Sequence, residues 1–189
     1  MNRFHNFIIN RIVNDKCGLA AVEFAMLAPF LIAILAGLGQ VASTININMS
    51  ARTAAFTISD LISRCASVNS SDISEAFIAS ALILNSSKTM SNNFAAFVAS
   101  VTFDQNTASP TIAWRSNIGS PASTNATILS NVTGKAQAGD SLIASGVEYY
   151  YAISSNQRGV LAFTTTSYSS PRLTSSVTNG SIACDWTVK

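Results

Sequence analysis

Residues 24–43 form an uncharged, mostly apolar run, and no other feature of this 189-residue chain constrains its folding as strongly. At 1.5 Å per residue a helix of that length spans about 30 Å, the thickness of a bilayer's hydrocarbon core. Leu27, Phe30, Leu31, Ile34, Leu35 and Leu38 make the body of the run. Pro29 should kink it mildly, which membrane helices tolerate, and Gly37 and Gly39 allow close approach by a neighbouring helix. Glu23 stands immediately before the run. An ionised carboxylate at the centre of a membrane helix costs about 2.5–3.5 kcal/mol on insertion scales, so a carboxylate kept here is expected to have a function.

The charge distribution sets the orientation of such a helix. The net charge is +2. Arg3, Arg11 and Lys16 outweigh Asp15 in the first eighteen residues, and the remaining cations and anions cancel. The excess positive charge lies just before the apolar run, which predicts a cytoplasmic amino terminus. No basic patch is left for nucleic acid. Charged residues make up only 11% of the chain, and Ser, Thr, Asn and Ala dominate beyond the run. That composition suits an extracytoplasmic or filament-forming surface that does not depend on charge for solubility.

The helix is expected to continue past the membrane. Ala51, Ala54, Ala55, Ile58, Leu61, Ile62 and Cys65 recur at spacings of three and four, an amphipathic stripe. Asp60 and Arg64 stand at i,i+4 on another face. One helix over about residues 19–65 follows, its first part (19–43) in lipid and its second (44–65) packed on a head domain at 66–189. Within the head, Asp72 and Glu75 have the spacing of a capping box opening a second helix through Ile83. Residues 94–103, 111–117, 146–154 and 160–168 are rich in β-branched and aromatic types bounded by turn formers, and predict strands. Residues 119–139 read mostly as loop, and 181–188 as a last strand. The expected fold class is α+β, a long amino-terminal helix packed on a small, mainly antiparallel sheet.

Of the three cysteines, Cys17 precedes the apolar run, while Cys65 and Cys184 form an even pair in what should be an oxidising compartment. A bridge between them would close a loop of over a hundred residues, worth roughly 4–5 kcal/mol in the chain-entropy model. Two buried free thiols are the alternative, because sequence does not place the two Cα atoms within bridging distance.

A basic leader ending in Gly18, then Leu19-Ala20-Ala21-Val22, then Glu23, then an apolar span, resembles a type IV prepilin. Within that class, Ala21-Val22-Glu23-Phe24-Ala25-Met26-Leu27-Ala28-Pro29-Phe30-Leu31 is similar to the start of the TadE-like pseudopilins of the tight-adherence pilus system. The resemblance covers about residues 16–60 and implies a pilin-like architecture. It also implies that an inner-membrane aspartic prepilin peptidase cuts between Gly18 and Leu19, removing the leader at 1–18. Glu23 would then neutralise the new amine of Leu19 on a neighbouring subunit. The implied partners are the inner membrane, the peptidase, other pilin or pseudopilin subunits and the pilus assembly platform. The implied location is the bacterial inner membrane, with the head periplasmic, and outside the cell once carried in a pilus. Ordinary secretory cleavage before Gln40 is the rival reading of the same region. A signal-anchored periplasmic binding module or adhesin is the rival function.

Two motifs invite enzymatic or metal readings and are expected to be structural. Gly139-Asp140-Ser141-Leu142 matches a lipase signature, but Ser activation needs a His, and the only one is His5 in the leader. Asp72-Ile73-Ser74-Glu75-Ala76 falls one residue type short of a von Willebrand A metal motif. The chain is expected to have no catalytic residues, cofactor or metal.

Overall fold

A computed structural model describes residues 16–84, 93–152 and 160–184. The first element is a single helix, α1 (Lys16–Ser63), continuous through Pro29. Contacts divide the chain into two units, Met1–Asn46 and Ile47–Lys189. In the first unit the described chain is the amino-terminal part of α1.

The second unit opens with the rest of α1, which is followed by β1 (Ser67–Val68), α2 (Ser70–Ile83), β2 (Phe94–Phe103), β3 (Pro110–Ile118), α3 (Asn125–Val132), β4 (Ser141–Ala152), β5 (Val160–Ser169) and β6 (Thr178–Asn179). Four strands form an antiparallel sheet in the order β3-β2-β4-β5, and β1 and β6 pair in parallel. The fold is α+β, as the pattern of residues predicts.

Side-chain alternation divides the sheet into two packed faces. Phe94, Ala96 and Val98 of β2 with Ile143 and Val147 of β4 meet Ala51, Ala54, Ala55, Ile58 and Ile62 of α1 and Ile73, Ala76 and Phe77 of α2. Phe97, Val101, Phe103, Leu142 and Ala144 point the other way and meet Ile128 and Val132 of α3. Because both faces are covered, β2 is buried at every position but Thr102. The small residues of α1 bring its backbone close to the strands. The Ser145 hydroxyl donates to the Ala55 carbonyl at 2.7 Å, and Ser59 and Ser63 meet Ser167 and Ser169 at 3.2 and 3.1 Å. A hydroxyl buried without a partner would cost about 1–3 kcal/mol, so these contacts also fix how the helix sits on the sheet.

Several local expectations need correction. Residues 119–139 are mostly loop, as expected, but they also hold the unexpected helix α3, capped by the Thr124 side chain accepting from Thr127 N–H. β4 begins at Ser141, earlier than the expected 146. The described end of the chain, 181–184, forms no strand, the short β6 lies just before it, and 185–188 fall outside the described residues. The capping box of α2 is Asn69 with Asp72, not Asp72 with Glu75.

The tightest of the glycine sites lies within the sheet. Gly146 faces Phe97 across the β2–β4 pairing, and a Cβ there would lie 2.2 Å from the ring's Cε1. The aromatic ring of Phe97 therefore lies over the glycine backbone.

Candidate functional site

The first candidate site is the amino-terminal part of α1. Val22, Phe24, Met26, Leu27, Phe30, Leu31, Ile32, Ile34, Leu35, Leu38 and Val41 are all more than half exposed. Consecutive members such as Phe30, Leu31 and Ile32 lie on different sides, so the helix is apolar all round. An unpartnered apolar surface of this size marks a membrane or protein interaction site. The helix is the one described element long and apolar enough to cross a membrane. Space for a Cβ is open at Gly37 and Gly39. Ser43 and Thr44 return their hydroxyls to the carbonyls of Gly39 and Gln40 at 3.0 and 2.9 Å, so they leave no orphan donor at the end of the apolar run.

Gly18 and Leu19 lie in the first turns of α1, and Glu23 follows one turn later as an exposed carboxylate between Val22 and Phe24. Among the described residues the only ion pairs are those of Asp60, so Glu23 has no partner within the described chain.

The second candidate site is the seam where the head closes. Cys65 and Cys184 are joined by a disulfide with their Cα atoms 5.3 Å apart. Asp72 stands beside it and is buried. Its Oδ2 accepts from Asn69 N–H at 2.9 Å and from Cys184 N–H at 2.8 Å. One carboxylate thus caps α2 and holds the backbone of the bridged cysteine. Nearby, Asp60 of α1 pairs with Arg64, just past the helix end, and with Arg172, and Arg172 N–H donates to the Ser63 carbonyl at 2.9 Å.

Sequence reasoning missed a third cluster. Glu148 on β4 is 2% exposed and accepts from Ala122 N–H at 2.9 Å and Ser123 N–H at 3.2 Å. Arg115 reaches the Ser123 carbonyl and the Asn125 side chain at 2.7 Å each. The loop entering α3 is therefore held by a carboxylate through its N–H groups and by a guanidinium through its oxygens. Both charges were legible as residues, but the backbone atoms among their partners, Ala122 N–H, Ser123 N–H and the Ser123 carbonyl, leave no sequence signal.

Ser141 opens β4 after Gly139, whose φ is +85°, and its hydroxyl donates to the Ser175 carbonyl. The Gly139–Leu142 motif is a turn entering a strand. Among the described residues no group of three or more His, Cys, Asp or Glu side chains converges. Asp104, in the β2–β3 turn, has its carboxyl held below the ordinary value of 3.8, first by Thr107 N–H, then by Asn106 N–H and the Thr107 hydroxyl.

These features define a class: a protein with one amino-terminal helix of membrane-spanning length and character, joined to a disulfide-closed α+β head. Residues 18–59 match the model of the TadE-like protein family. The amino-terminal segment of the chain is therefore TadE-like, while the match leaves more than three quarters of the 189 residues uncovered. No curated protein and no solved structure matches the chain.

Proposed function

We propose that this protein is a pseudopilin or minor pilin, a membrane-anchored structural component needed to assemble a tight-adherence type IV pilus. The observation that carries the reading is the extent of the family match, which begins at Gly18, encloses Glu23 and the whole uncharged run, and ends at Ser59. In this reading the positive leader stays cytoplasmic, α1 crosses the inner membrane once, and the head is periplasmic. A prepilin peptidase cuts between Gly18 and Leu19. Glu23 then meets the amine of Leu19 on a neighbouring subunit, and that close charge pair sets register in a low-dielectric setting. Leaving the bilayer moves apolar surface from lipid to protein rather than from water, so assembly depends on helix packing and on the Glu23 pair. The role is structural, with no chemistry of its own.

Mass spectrometry of the protein extracted from membranes tests this. The expected chain begins at Leu19, with or without a methyl group on its amine. A full-length product in cells with an active prepilin peptidase would overturn the reading.

A further inference from the structure

The sheet has two edges, and they are built differently. β3 begins on Pro110, which has no N–H to offer, and its register with β2 shifts at Ser100/Val101. Arg115 of the same strand holds residues 123 and 125, and Trp114 donates to the Val177 carbonyl at 2.7 Å. Proline, bulge, charge and covering chain are the devices by which proteins keep a sheet edge from pairing.

Among the described residues, β5 has none of them. It pairs with β4 from Val160 to Ser169 without a register shift. It contains no proline and no charge, and it is rich in the β-branched and aromatic types that favour strands. Ala162, Thr164 and Thr166 are exposed. Among the described residues, no backbone hydrogen bond joins β5 to anything but β4. The free edge is about 33 Å long at roughly 3.3 Å per residue.

We infer that β5 is a pairing edge and that its occupant is β5 of a second copy of this chain, antiparallel across a two-fold axis. The strand's own sequence favours this partner. Antiparallel pairing centred on Thr165 sets Thr164 against Thr166 of the second copy, and Thr–Thr pairs are among the favourable cross-strand combinations. No like charges meet, because the strand carries none. A charged partner strand would find no counter-charge on β5. The same patch serves both copies, so the contact closes at two rather than growing into a fibre. The inference rests on the sheet alone and stands apart from the pilus role.

The test uses the full chain in detergent micelles, with Cys17→Ser to remove the unpaired thiol. Thr165→Cys is treated with a short bis-maleimide, and Ala113→Cys on the β3 edge serves as control. Directly opposed strand residues have Cβ atoms about 4.5–5.5 Å apart, so position 165 should give about tenfold more cross-linked dimer than position 113. Adding Thr164→Lys and Thr166→Lys should reduce the 165 cross-link to the control level while leaving the thermal midpoint unchanged. Both residues are exposed, so the lysines need no room in the core. Equal cross-linking at 165 and 113 would overturn the proposal. So would a 165 cross-link that survives the lysine pair, since the apolar helix would then be driving association. A wild-type chain that sediments as a monomer, with β5 amides protected from exchange only when a different protein is added, would assign the edge to another occupant.

Discussion

Replacing Cys65 and Cys184 by Ser tests how much of the head's stability depends on its closure. The cysteines are 119 residues apart in sequence. In the chain-entropy model a loop of that size restricts the unfolded ensemble by about 5 kcal/mol at 25 °C. Cys184 N–H also donates to Asp72, so the folded variant keeps one non-covalent hold on this segment. That hydrogen bond is present with and without the bridge, so it leaves the difference unchanged. The expected loss is therefore about 4–5 kcal/mol, a large part of the 5–15 kcal/mol that holds a typical domain together. With a urea slope of about 2 kcal/mol/M, the midpoint should fall by about 2 M. Trp114 is a suitable reporter, since its indole is half-buried and hydrogen-bonded to Val177 in the head. Wild-type protein treated with reductant should follow the variant's curve, and Cys17→Ser alone should leave the midpoint where it is. Unreduced, denatured full-length protein should expose one reactive thiol. Three reactive thiols, or a midpoint unmoved by the double substitution, would refute the reasoning.

Three further outcomes follow from single sites. Gly146→Ala should destabilise the head by about 1–3 kcal/mol through overpacking against Phe97, and Phe97→Leu in the same chain should recover part of that loss in a denaturant series. Glu148→Gln weakens the charge-assisted bonds from Ala122 and Ser123, so it should cost about 1.5–3 kcal/mol and speed hydrogen exchange at those two amides. Asp104 has a depressed folded pKa, so its stabilising contribution is present above the ordinary value of 3.8 and is lost as pH falls through the lower folded value. Asp104→Ala should therefore be less stable than wild type at neutral pH, with the gap closing in an acid titration below that range.

The sequence discloses some elements because their residues answer to one rule, and hides others because several rules compete. β2, β3 and β5 were predicted within about one residue of their ends from β-branched and aromatic content. α1 was legible from its apolar run and the Ala51–Ile62 stripe. The first residues of β4 were not, because Leu142, Ile143 and Ala144 are buried on alternate faces and show no polar–apolar alternation. α3 was lost in a polar stretch where only Ile128 and Val132 are buried, although Thr124 is a proper N-cap three residues before Thr127. At α2 two nested boxes share Asp72, and the earlier one forms because the same carboxylate also holds Cys184 N–H. That partner is 112 residues away and cannot be read locally. The parallel pairing of β1 and β6 is two residues long and equally distant in sequence.

Substituting Glu23 separates the anchor from assembly. Glu23→Ala removes a carboxylate that is costly in hydrocarbon and has no partner in the described chain, so insertion should proceed at least as well as in wild type. Cleavage after Gly18 should also proceed, because the leader and the cut residues are unchanged. The head should keep its wild-type denaturation midpoint, because neither of the two buried cores formed by the described residues includes position 23. In the proposed role, what disappears is the charge partner for a neighbour's Leu19 amine, which would exist only in an assembled or assembling state. The expected phenotype is a correctly processed, membrane-inserted, folded protein in cells that lack pili. Glu23→Asp, with the charge retained on a shorter arm, should restore piliation in part. Normal pili on Glu23→Ala cells would remove the charge pair from the mechanism, while leaving processing at Gly18 and the fold of the head intact.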